Sequence, residues 1–94
     1  MKVRQLINNN GNPAANQFVI DNGNTSYFQS YQSVVAKIEK GKVSLSNRWD
    51  YSRTTAKHLY IFLAEYGYWH LCSAAAMRKA ISNGEVTLVN TPSL

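Results

Sequence analysis

Apolar and polar residues alternate along the first half of the chain, and the apolar spacing changes to three and four after Trp49. Val3 to Ile7 reads as a first strand. Asn8-Asn9-Asn10-Gly11-Asn12-Pro13 then gathers turn-forming residues. Asn16 to Asp21, with Phe18 and Ile20 on one side, is expected to return as the hairpin partner of the first strand. Asn22-Gly23-Asn24 is a tight turn, because Asn-Gly adopts positive φ cheaply. Thr25 to Tyr31 is a third strand, with Tyr27, Gln29 and Tyr31 on one face and Phe28 and Ser30 on the other. Gln32 and Ser33 mark a bend. Val34 to Glu39 and Lys42 to Ser46 then form a hairpin across Lys40-Gly41.

The stretch from Trp49 to Gly67 has the helical period. Asp50 or Ser52 can supply the N-cap oxygen, and Gly67 stands where a left-handed residue would end the helix. Ala56, Leu59, Leu63 and Tyr66 fall on one face, flanked by Tyr60 and Phe62. The opposite face carries Arg53, Thr54, Lys57, Ile61 and Ala64. Arg53, Lys57 and Ile61 stand at successive i,i+4 steps, so two cations and one apolar side chain point outward together. This row reads either as a solvated helix back or as a contact face. Trp49 is expected to anchor the helix start in the core.

After the aromatic linker Tyr68 to Cys72, Ser73 caps a second helix, Ala74 to Ser82, with Met77, Ala80 and Ile81 as its apolar stripe. Asn83-Gly84 ends it, Glu85 to Val89 alternates as a last strand, and Asn90 to Leu94 is expected to fray. The order predicts one α+β domain over residues 1–94: an antiparallel β-sheet of about five to six strands with two helices packed on one face. A βαβ crossover is not required by this reading.

Ten Lys and Arg against five Asp and Glu give a net charge of +5, which favours an anionic partner, nucleic acid or an acidic protein surface. The cations are scattered, with no basic run. The lack of a long apolar segment excludes a membrane helix. The single Cys72 excludes an intramolecular disulfide and fits a reducing cytoplasm.

Catalytic constellations are missing. His70 and Cys72 stand two apart with no third group to orient a base. One cysteine and two histidines do not complete a zinc site. The five glycines stand alone, with no phosphate-binding pattern, and no carboxylate pair is recognisable. Neither a cofactor nor an enzymatic activity is expected. A helix-turn-helix fits poorly, because the linker from Gly67 to Cys72 is longer than the usual turn.

Two constellations remain. Tyr27 and Tyr31, near Lys37, Lys40 and Lys42, suggest base stacking with flanking cations, although the tyrosines could equally form the surface under the helices. Arg48, Arg53 and Lys57, beside Trp49 and Tyr51, surround the helix start and would suit a phosphate or carboxylate, unless Asp50 occupies that place.

Tyr27-Phe28-Gln29-Ser30-Tyr31, Ala36-Lys37-Ile38 and Trp49-Asp50-Tyr51-Ser52-Arg53-Thr54-Thr55, with Lys57-His58-Leu59 and Phe62-Leu63, resemble short uncharacterised proteins of bacteriophages and mobile elements. The resemblance spans most of the chain and implies a setting rather than a reaction. It implies a non-enzymatic accessory protein in the host cytoplasm that occludes a host defence or nucleoprotein factor, as an anti-CRISPR protein does. The partner-binding residues expected are Arg48, Arg53, Lys57, Ile61, Tyr27, Tyr31, Lys40 and Lys42. Direct DNA or RNA binding through the tyrosine-bearing surface is the alternative, and a virion subunit a weaker third. A monomer and a homodimer are both compatible with the sequence.

Overall fold

The computed structural model describes every residue from Met1 to Leu94. Five strands follow one another as a meander: β1 (Lys2–Ile7), β2 (Pro13–Asn22), β3 (Thr25–Ser30), β4 (Ser33–Glu39) and β5 (Lys42–Ser46). Helix α1 (Arg53–Glu65), a 3-10 turn at Trp69–Leu71, helix α2 (Ala74–Ser82) and strand β6 (Val86–Val89) complete the chain. The sheet order is β1-β2-β3-β4-β5-β6. The fold is α+β, a six-stranded and mostly antiparallel sheet carrying two helices.

One pairing departs from the expected all-antiparallel sheet. β6 lies parallel to β5, with Val43 opposite Val86 and Leu45 opposite Leu88. The connection between them is therefore a crossover. It runs through α1, the 3-10 turn and α2, and it brings Val86 level with Val43 at the start of β5.

Alternation divides the sheet into two faces. Val19, Phe28, Ala36 and Leu45 share one rung and are buried beneath the helices. Tyr27, opposite Lys37 and Ile20, lies on the other face, away from the helices. The tyrosines therefore do not form the floor under the helices; Phe28 does. Tyr31 falls outside β3, in the turn to β4, with φ 55°.

Helix α1 buries Thr55, His58, Leu59, Phe62 and Leu63. That stripe is rotated from the expected one, since Ala56 and Tyr66 are only half buried. Phe62 stacks on Phe28 with ring centroids 5.7 Å apart, and this contact fixes the rotation. His58 tolerates burial because both ring nitrogens are bonded, Nδ1 with Thr54 O at 2.7 Å and Nε2 with Asn8 Oδ1 at 3.0 Å. Ser52, not Asp50, is the N-cap: its Oγ accepts from the Thr55 N–H at 3.1 Å. Asp50 turns instead to Arg78 at 3.1 Å. At the far end the Gly67 N–H donates to Ala64 O and the Tyr68 N–H to Leu63 O, a Schellman closure that needs the left-handed φ of Gly67, 86°.

The last residues are tied down where fraying was expected. The Asn47 N–H donates to Thr91 O, the Val34 N–H to Ser93 Oγ, and the Leu94 N–H to Val34 O. Val34, opposite Gln29 in the β3–β4 register, holds this tail with both its N–H and its carbonyl.

Trp49 is 4% exposed and Leu59 fully buried. Replacing either by Ala should lower stability by about 2–5 kcal/mol, as for other large core truncations. Thermal or urea denaturation measures this, and an unchanged midpoint for both would mean α1 is not seated on the sheet.

A second prediction concerns pH. Asp21 Oδ1 accepts from Ser26 Oγ at 2.6 Å and from the Tyr66 hydroxyl at 2.7 Å. These bonds hold its carboxyl below the usual carboxylate range, Ser26 contributing most. A pKa depressed by folding adds stability above the unfolded value of about 3.9, and that stability is lost as pH falls through the folded value. The stability deficit of Asp21→Asn, followed by urea denaturation, should be full at neutral pH and shrink in acid below about pH 4. A deficit that persists unchanged in acid would assign the loss to packing instead.

Candidate functional site

Two adjacent rows of α1 lie off its buried stripe: Arg53, Lys57, Ile61 and Glu65, and beside them Ala56, Tyr60 and Ala64, of which Tyr60 and Ile61 still pack partly against the core. They form the floor of an open groove of about 830 Å³. Ile7 and Asn9, at the β1–β2 turn, form one wall, and Trp69, Cys72 and Ala74 the other. Trp69 is 72% exposed, a large apolar ring at the lip with no covering partner. Three of the eight expected binding residues, Arg53, Lys57 and Ile61, are thus brought together on one apolar-floored surface.

The charges of the groove are unequal along its length. Glu65 is held by Arg4 at one end. Arg53 and Lys57, toward the start of the helix, take part in no ion pair. Every acid of the chain is already engaged. Glu39 pairs with Lys37, Asp50 with Arg78, Glu65 with Arg4 and Glu85 with His70, while Asp21 is taken by Ser26 and Tyr66. The surplus positive charge therefore has no internal counterpart at the helix start.

The remaining expected residues go elsewhere. Arg48 and Tyr31 line a second, smaller cleft of about 340 Å³ at the β3–β4 turn. Tyr27 stands on the outer sheet face opposite Lys37. Lys40 and Lys42 lie at the β4–β5 turn, the far end of the sheet from Tyr31, so Tyr31 and the two lysines do not share one surface.

His70 and Cys72 are likewise parted. His70 Nε2 contacts Glu85, whereas Cys72 Sγ donates to the carbonyls of Tyr60 at 3.3 Å and Tyr68 at 3.4 Å. Burial pushes the Cys72 thiol up and, in the same way, the Tyr60 hydroxyl. No cluster of three or more His, Cys, Asp or Glu stands close enough to hold a metal ion.

The sequence pattern set Ala56 on the core face and Tyr60 on its flank, where Tyr60 does pack partly against the core, and it gave no role to Ile7, Asn9 or Trp69. The linker was recognisable as aromatic, but nothing in its spacing shows that it folds back beside α1. Only the outward row Arg53-Lys57-Ile61 carried a signal.

Over residues 1–81 the chain matches a family described as Family of unknown function (DUF8033). The chain belongs to that family. The matched stretch contains every residue of the groove and of the cleft. No curated protein and no solved structure matches the chain. No helix is long and apolar enough to cross a membrane.

The Cys72 thiol generates a prediction. With its pKa raised and its proton shared with two carbonyls, it carries little thiolate near neutrality. Alkylation by iodoacetamide at pH 8 should be slower than for the urea-unfolded chain by about tenfold or more. Equal rates would mean that the linker does not stay packed on α1.

Proposed function

We propose that the chain is a non-enzymatic binding protein whose α1 groove receives an apolar segment of a partner protein, and that it acts by covering that partner's surface. The observation that carries this reading is the groove itself: an apolar floor around Ile61, an exposed Trp69 at its lip, and unpaired Arg53 and Lys57 at one end. A solvated helix back is mostly polar with single scattered apolar residues, whereas this one carries Ala56, Tyr60, Ile61 and Ala64 together and is walled on both sides. Ala56 and Ala64 leave room for close backbone approach. The unpaired cations favour a segment with acidic residues at the end that meets Arg53 and Lys57. The narrower assignment, in which the covered partner is a host defence or nucleoprotein factor, rests on the resemblance to phage and mobile-element proteins.

Affinity capture from lysate of a natural host, with and without nuclease, tests the reading, with variants chosen to separate the faces. Ile61→Asp should abolish capture of the partner, because the centre of a protein interface needs desolvated apolar contact. Reversing Arg53 and Lys57 to Glu should weaken capture by about tenfold or more and remove its salt dependence. Arg48→Glu, outside the groove, should leave it intact. Capture indifferent to Ile61→Asp in a folded variant would show that the groove is not the interface. Loss of the catch on nuclease treatment would indicate nucleic acid as the primary ligand.

A further inference from the structure

The smaller cleft shares no lining residue with the groove and has a different chemistry. It is enclosed by Ser30, Tyr31 and Ser33 of the β3–β4 turn, by Arg48 and Tyr51 ahead of α1, and by Thr55 in the first turn of that helix. We infer that this cleft binds a phosphate group carried on a flat aromatic base: a nucleotide, free or as one unit of a single strand.

The first support is an unmet hydrogen bond. Ser30 is 5% exposed, lines the cleft, and its hydroxyl has no partner. Gln17, opposite Ser30 in the β2–β3 register, is fully buried with both amide atoms unpartnered as well. Buried polar atoms are nearly always paired, so unpartnered ones beside an open cleft indicate a polar ligand or ordered water. The second support is Arg48, which has no acidic partner and whose guanidinium carbon lies 4.8 Å from the centre of the Tyr51 ring. A guanidinium placed in this way keeps its planar fork of donors for a phosphate.

Tyr31 adds the aromatic surface. It is 57% exposed and stands in the left-handed region, φ 55°, which a non-glycine residue seldom adopts. Its backbone is held there from two sides: its N–H donates to Asn16 O at 2.7 Å and its carbonyl accepts from Gln29 Nε2 at 2.9 Å. An exposed ring on a fixed backbone is a stacking platform for a base.

The helix start contributes a favourable field. Asp50 is drawn off to Arg78 and the first turn contains no acid. Ser52 caps Thr55, and the N–H groups of Arg53 and Thr54 have no partner. Positive dipole character therefore lies next to the cleft without a competing carboxylate. Ser33 and Arg48 bring donors to the cleft from separate chain segments, with the unpartnered Ser30 hydroxyl buried in its wall, a set of donors suited to a phosphate.

Titration of the isotopically labelled chain, read by amide chemical shifts, is the test, with adenosine monophosphate, inorganic phosphate, acetate and a short single-stranded oligodeoxythymidine as probes. Adenosine monophosphate should shift the amides of Ser30 to Ser33 and Tyr51 to Thr55. Inorganic phosphate should shift the same amides with affinity weaker by about tenfold, the loss of one base stack. Tighter binding by the oligonucleotide than by the monophosphate assigns the site to a strand, and the reverse assigns it to a free nucleotide. Arg48→Ala should weaken binding by about tenfold. Ser30→Ala should weaken it by about fivefold without lowering the melting temperature, since the hydroxyl has no partner in the free protein. The inference is overturned if none of the phosphate probes shifts those amides, or if acetate binds as well as phosphate. It is equally overturned if Ser30→Ala binds normally, or if it melts earlier, since the hydroxyl would then have a structural role.

Discussion

The helical half of the molecule hangs on one aromatic contact. Phe62 of α1 stacks on Phe28 of β3, and Tyr66 packs against Phe62 at 5.1 Å while its hydroxyl reaches Asp21 on β2. Aromatic pairs of this geometry add about 0.5–1.5 kcal/mol beyond the area they bury. Their larger effect here is to set the rotation of α1. With Phe62 directed at the sheet, the Arg53 and Ala56 rows must turn outward, and both surfaces available for binding follow from that.

The charge distribution follows the same arrangement. Each acidic side chain is spent on holding elements together: Glu65 ties α1 to β1 through Arg4, and Asp50 ties the segment ahead of α1 to α2 through Arg78, which also lies over the Trp49 ring at 5.3 Å. Of the cations left over, Arg48, Arg53 and Lys57 stand around the start of α1, Arg53 and Lys57 lining the groove and Arg48 the cleft, while Lys2, Lys40, Lys42 and Lys79 lie elsewhere. Surface pairs of this kind contribute little stability individually. Their consequence is where they leave the unpaired charge.

Much of the fold was legible because it is written in short-range pattern. The Lys42–Ser46 strand, the Ala74–Ser82 helix, the Ser73 cap and the Gly67 stop depend on neighbours within a few residues, and they stand where the sequence put them. What was not legible depends on partners far along the chain. Burial of His58 needs Asn8, the parallel docking of β6 needs a crossover through both helices, and the tail is held by the backbone of Val34. The groove shows the same division. Its Arg53-Lys57-Ile61 row was readable from helical spacing, whereas Ile7 and Trp69 arrive from a turn and a linker whose paths no local pattern fixes. The separation of Tyr31 from Lys40 and Lys42 follows from the length of β4 between them, which adjacency in sequence conceals.

The parallel β6 also bears on how the chain reaches this state. Strands β1 to β5 pair only with sequence neighbours, so each hairpin closes a loop of a few residues and can form as soon as its two strands exist. β6 must close a loop of about 40 residues, Ser46 to Val86, at a higher entropic cost than any of the hairpins. Until it docks, the edge of β5 presents its unpaired backbone to any other extended chain. The molecule is completed from its C-terminal end, and the last strand and the tail held by Val34 act as the latch on a sheet that is otherwise already assembled.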